Sequence, residues 1–133
     1  MKPGMKIGQK ATITDTVTQK MVAQFEGTVV HPAYSTVSMV YHMEWAARQI
    51  ILPFLEEHEE GIGGAVNAKH IAPTPVGEDI TVTATLTELK GRAVITEVEV
   101  HNSKGLAGKG EVTQFILNKD EITHKLEKDS ITN

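Results

Sequence analysis

The sequence predicts an α+β chain in which one antiparallel five-stranded sheet wraps around one long central helix. Three observations carry that expectation. A helical hydrophobic pattern starts near Thr36 and persists for roughly six turns. Segments with the two-residue alternation of strands precede and follow it, and the later ones are separated by PTPVGE, LKGR and NSKG, which are rich in turn-forming residues.

The elements follow in order. Residues 11–22, ATITDTVTQKMV, alternate Ile13, Val17 and Met21 with threonines, the pattern of a strand with one buried face. Gly27 and Pro32 punctuate the stretch from Phe25 to Tyr34, for which an irregular crossing segment is expected. Between Thr36 and His58 the period becomes helical, with Thr36, Val40, Met43, Ala47, Ile50 and Phe54 within about 40° of one line. Ser35 or Thr36 supplies an N-cap and Gly61 a stop, while Pro53 falls in the final turns and is able to end the helix early. Tyr41, Trp45 and Leu52 lie on roughly the opposite side, and a helix apolar nearly all round belongs at the centre of a fold.

Four further strands are expected at 62–72, 79–89, 93–102 and 106–118. Ile80, Val82, Ala84 and Leu86 alternate with a row of threonines, and Val94, Val98 and Val100 with Ile95, Glu97 and Glu99, as in half-solvated antiparallel strands. The charged tail from Lys119 to Asn133 reads as a frayed end or a short terminal helix. No repeat or low-complexity linker divides the chain, so a single domain over residues 1–133 is expected. The order strand, long helix, four meandering strands is the outline of a hot-dog fold. Its open sheet edges and leftover apolar helix surface call for cover by a second copy, so a homodimer is the expected assembly.

Composition removes several functions. Thirteen Lys and Arg against seventeen Asp and Glu give a net charge of −4, and no basic run is interleaved with aromatics, which argues against a nucleic-acid partner. The chain has no cysteine, which excludes thiolate nucleophiles, disulfides and Cys-based zinc sites. His31, His42, His58, His70, His101 and His124 show no HExxH-like spacing, so no metal is expected. No apolar run approaches the roughly 18 residues that span a bilayer, and the start from Met1 to Lys10 is too polar for a signal peptide. The expectation is a cytoplasmic protein that does not engage membranes.

Against that background three residues carry chemistry. His70 falls among Ile62, Gly64, Val66, Ala68 and Ala72, the even positions of its strand, and so shares the apolar face that looks at the helix. Glu44 lies about 80° from the centre of the helical stripe, at the border of the packed face, where desolvation makes a carboxylate a better base. Thr36 opens the helix. A hydroxyl, a carboxylate and an imidazole are the parts that hydrolyse an activated ester. Each has a plainer reading: His70 as a core histidine bonded to backbone, Glu44 as a surface carboxylate paired with Arg48, and Thr36 as a helix cap. An unbroken helix would set the Cα atoms of Thr36 and Glu44 about 12 Å apart, so the two meet only through an irregular start or across a dimer interface. Backbone at Gly63 or Gly64 is free to approach a substrate and donate an N–H to a carbonyl oxygen; a strand start or bulge is the alternative.

These residues sit in a pattern that resembles the fluoroacetyl-CoA thioesterase type of small hot-dog thioesterases. The resemblance runs from MKPGMKIGQK through T-V-S-M-V-Y-H-M-E-W-A, P-F-L with its acidic run, G-x-G-G-A, a strand ending in K-H, A-P-T-P-V-G and T-V-T-A to K-G-R. It implies a homodimeric hydrolase acting on a short-chain acyl-CoA, with coenzyme A as part of the substrate and no cofactor. It also implies a triad-like set of Thr36, Glu44 and His70, with Gly63 lending backbone to the site and Gly64 beside it. The lid segment that precedes the catalytic threonine in that family offers Tyr34 alone as an aromatic substrate contact here. Two other functions are open to such a chain. A non-catalytic acyl-CoA binding module would use the same groove without turnover. An enoyl-CoA hydratase would want an Asp and a His together on a loop before the helix, and no Asp lies between Asp15 and Asp79.

Overall fold

The computed structural model describes residues 1–132. Its elements are β1 (Lys10–Thr16), β2 (Val22–Phe25), β3 (Thr28–Tyr34), α1 (Thr36–Ile51), β4 (Glu59–His70), β5 (Asp79–Lys90), β6 (Ala93–Asn102), β7 (Gly105–Asn118) and α2 (Lys119–Thr132). Five strands form one antiparallel sheet in the order β1-β5-β6-β7-β4, and β2 and β3 form a separate two-stranded ribbon. The large sheet curls around α1, as the hydrophobic patterns demand. Asn133, the last residue of the charged tail, lies outside the described residues.

The alternation in β5 and β6 sorts side chains as expected, with Ile80, Val82, Ala84 and Leu86 fully buried on one face and Val94, Val98 and Val100 beside them. Against them α1 lays Met39, Met43, Ala46, Ala47, Ile50 and Ile51, all buried. Each large side chain removed from water in this way contributes about 1.5–3 kcal/mol. The buried arc is turned slightly from the expected stripe: Val40 is half-buried, Thr36 is exposed, and His42, in phase with Met39 and Met43, is buried instead.

Four expectations are corrected. The first strand stops at Thr16, because Val17 leaves the sheet edge to bond Glu78 and Gly77 through its backbone and a 3-10 turn at Gln19–Met21 follows. The segment from Phe25 to Tyr34 is a hairpin rather than an irregular crossing. Glu26 (φ 53°) and Gly27 (φ 78°) form its two-residue turn, and Glu-Gly lacks the Asn-Gly or Asp-Gly signature that announces such turns. The helix ends at Ile51, where a 3-10 turn at Leu52–Phe54 carries Pro53, whose ring and missing N–H cannot continue an α-helix. Gly61 is therefore not its stop and lies inside β4, where a β-carbon would run into the side chain of Ile51.

The fourth correction concerns which face of β4 meets the helix. The pairing with β7 slips between Gly63 and Ala65, leaving Gly64 as an extra bulged residue. Beyond the bulge Val66, Ala68 and His70 are the half-buried positions. Before it the parity reverses: Gly61 and Gly63 face α1, while the space beside Gly64 is filled by the ring of Phe115. A one-residue slip moves side chains to the opposite face of a strand.

On its second side α1 is bare in the single chain. Val37 is 76% and Tyr41 62% exposed, and Trp45 is exposed beside them. Among the described residues the outer edge of β4 has no strand partner, and no helix is long and apolar enough to cross a membrane.

Candidate active site

The start of α1 decides what Thr36 is free to do. Ser35, in extended backbone, accepts a hydrogen bond from the Ser38 N–H at 3.0 Å and so takes the N-cap role. The hydroxyl of Thr36 is thereby released from capping and stands 2.8 Å from Nδ1 of His70, the last residue of β4. The bulge at Gly64 sets the phase that turns His70 toward the helix.

Burial pushes the His70 imidazole below the ordinary histidine value, with the backbone of Ala72 acting in the opposite direction. The ring is then neutral at neutral pH, with one nitrogen a donor and the other an acceptor. With Thr36 O–H donating to Nδ1, the ring hydrogen sits on Nε2, which is buried and has no hydrogen-bond partner among the described residues. Hydroxyl and imidazole share a cavity of about 460 Å³ with Tyr34, His31, Ala72 and Pro73.

Glu44 lies elsewhere. Two turns along α1 it lines a second groove of about 500 Å³, together with Val40, Trp45, Arg48, Gly63 and Gln114. It is exposed in the single chain, so the desolvation expected at the border of the stripe is not present there. Arg48 pairs with Glu60 at 2.9 Å rather than with Glu44. A β-carbon built on Gly63 would stand 3.0 Å from Glu44 Oε2, so the carboxylate leans against that strand where no side chain intervenes. Gln114, buried at the groove floor, donates to the Ala47 carbonyl at 3.0 Å.

The structure thus brings Thr36 and His70 together, sets Glu44 beside Gly63, and places the two sets in separate cavities. Gly64 presents its open side to Phe115, away from the helix. Tyr34 lines the Thr36 cavity but is 2% exposed, and its hydroxyl is taken up by His42 Nδ1 at 2.6 Å. His42 in turn reaches Asp15 through Nε2 at 2.9 Å. Sequence reasoning weighed His42 only as a metal ligand. Its phase with Met39 and Met43 was the available signal that a polar ring is buried there and needs partners.

This architecture is that of the hot-dog thioester hydrolases. A thioesterase superfamily member from Thermus thermophilus superimposes with a TM-score of 0.92 at 40% identity, with all of both chains covered. A variant of the fluoroacetyl-CoA thioesterase in complex with acetyl-CoA superimposes with a TM-score of 0.88 at 25% identity, covering 94% of this chain and 98% of that one. In sequence, the fluoroacetyl-CoA thioesterase of Streptantibioticus cattleyicolor is 29% identical over 132 residues, 95% of each chain. The fluoroacetyl-CoA-specific thioesterase family matches residues 17–120, and the chain belongs to that family.

Proposed function

We propose that this chain hydrolyses the thioester of a short-chain acyl-CoA, with Thr36, His70 and Glu44 as its reactive side chains. The observation that carries the reading is the 2.8 Å contact between the Thr36 hydroxyl and a partly buried, neutral imidazole. Because Thr36 donates to His70, its oxygen lone pairs are free to accept from a water molecule. That water attacks the thioester carbonyl carbon, its proton passes through Thr36 to His70, and the C–S bond breaks. The departing CoA thiolate takes the proton from His70, leaving the free acid and the thiol. In this proposal backbone N–H at Gly63 stabilises the oxyanion and Glu44 orients the water. Acetyl-CoA bound to a variant of a related enzyme supports the choice of substrate class.

The working unit in this proposal is a homodimer whose site is shared. The bare edge of β4, the exposed Val37, Tyr41 and Trp45 beside it, and a carboxylate stranded in a separate groove all support a second copy docking there. Thr36 and His70 of one copy then face Glu44 of the other.

Thiol release from short acyl-CoAs by mixed variants tests both statements. Thr36→Ala and Glu44→Ala proteins are each expected to be inactive, and unfolding and refolding them together restores about a quarter of the parental rate, since half the dimers then hold one intact site of two. No thiol release by the parent sinks the activity. Inactive singles with no recovery on mixing sink the shared site.

A further inference from the structure

Beneath the Thr36 cavity runs a polar chain, buried at Tyr34 and His42 and half-buried at Asp15, with no part in the reaction described above. His42 is 1% exposed on the packed face of α1, a position where leucine or methionine would need no partner. Its Nε2 lies 2.9 Å from Asp15 Oδ2 and its Nδ1 2.6 Å from the Tyr34 hydroxyl. A carboxylate only accepts, so Nε2 carries a hydrogen and donates to Asp15. Burial, reinforced by the charge of Asp15, pushes the Tyr34 phenol well above the ordinary tyrosine value, so it keeps its hydrogen and donates to Nδ1. The Ser38 carbonyl, one turn back, is 2.9 Å from the same nitrogen. The second oxygen of Asp15 accepts from the Thr16 N–H at 2.9 Å.

The chain therefore joins three elements, β1 through Asp15, α1 through His42 and the end of β3 through Tyr34. Hydrogen bonds to two buried rings fix the angle of each, which apolar packing alone does not. The end of this one matters because Tyr34 precedes Thr36 by two residues and meets the other reactive group directly. The rings of Tyr34 and His70 stand edge to face, with centroids 6.2 Å apart at 68°. We infer that Asp15, His42 and Tyr34 are positioning residues, locking the Tyr34 ring as the stop that holds the His70 imidazole in register with the Thr36 hydroxyl. This rests on the reading of Thr36 and His70 as the reactive pair.

The test compares Tyr34→Phe, His42→Leu, their double variant and His42→Gln by thiol-release kinetics, with the ¹⁵N resonance of His70 Nδ1 followed in parallel. Tyr34→Phe and His42→Leu are each expected to lower kcat about tenfold with KM held within about twofold, because the pair is misaligned while the binding surface is kept. The double variant falls no further than the worse single, since the hydroxyl acts through His42. His42→Gln, which keeps one donor and one acceptor, recovers part of the loss, and the His70 resonance shifts in the impaired variants. Should His42→Leu fail to fold, Asp15→Asn takes its place at the other end of the chain. Parental kcat and an unmoved His70 resonance in Tyr34→Phe overturn the inference. Thr36→Ala and His70→Ala run alongside: if they turn over normally the site reading falls and takes this inference with it, whereas their inactivity beside a fully active Tyr34→Phe removes the positioning role alone.

Discussion

At the start of α1 the Thr36 hydroxyl already meets an imidazole at 2.8 Å, whereas two turns on Glu44 lies exposed over the Gly63 backbone with no hydrogen-bond partner among the described residues. The same helix and the same strand frame both places. What differs is closure. His70 lies on the stretch of β4 beyond the bulge, packed against Tyr34, while Glu44 faces the stretch before it, where glycines leave a groove and the strand edge is bare. In the proposed reaction the pair that moves a proton is preorganised within one copy, whereas the carboxylate side stands open in the single chain.

Removing a member of the closed pair is the strongest way to break this contrast. Thr36→Ala or His70→Ala is expected to lower thiol release from a short acyl-CoA by about 10²–10⁴-fold, the usual contribution of a positioned acid–base group. Near-parental turnover in both variants, beside an inactive Glu44→Ala, would invert the comparison.

The open side is probed by Gly63→Ala. Gly63 has no positive φ, so alanine fits the backbone, but its methyl carbon arrives 3.0 Å from Glu44 Oε2 and displaces the carboxylate. A drop in kcat of about tenfold with an unchanged melting temperature is expected, since even a small displacement takes a reacting group off its productive geometry. An unaffected kcat would mean that the carboxylate does not work from this position.

The pH profile sharpens the closed side. His70 must be neutral to accept a proton, and burial lowers its pKa, so the neutral form persists to lower pH than in an ordinary histidine. The kcat/KM plateau is therefore expected to extend below about pH 6.5 and to fall only as pH drops through the depressed value. An acid limb at or above the ordinary value contradicts a desolvated ring. The smallest effect is expected from Ser35→Ala, which removes the cap that frees Thr36 and costs about 1 kcal/mol of stability, read as a lower melting temperature.

Much of the frame was legible from local pattern. The threonine and valine alternations place β5 and β6 to within a residue, because residues that alternate on a half-buried surface have only one phase that suits them. The start of α1 was legible for a similar reason, since Ser35 and Thr36 are the hydroxyls that open a helical period. The hairpin of β2 and β3 escaped because Glu26 holds a positive φ that its side chain does not advertise, and the helix end was misread because Gly61 competes with Pro53 as a stop signal. At the site, the residue types and their order along the chain were visible, but the bulge at Gly64 was not. One extra residue there makes Gly63 rather than Gly64 the glycine that faces Glu44.

By itself, then, the amino-acid order determined the α+β architecture, the central helix and the trio of a hydroxyl, a carboxylate and an imidazole, because periodicity and side-chain chemistry are local properties. Tertiary structure alone decided which of the three touch, that Ser35 rather than Thr36 caps the helix, and that a buried histidine links Asp15 to Tyr34. Those outcomes depend on strand register and on which ring fills which gap, and both are settled only when distant segments pack against each other.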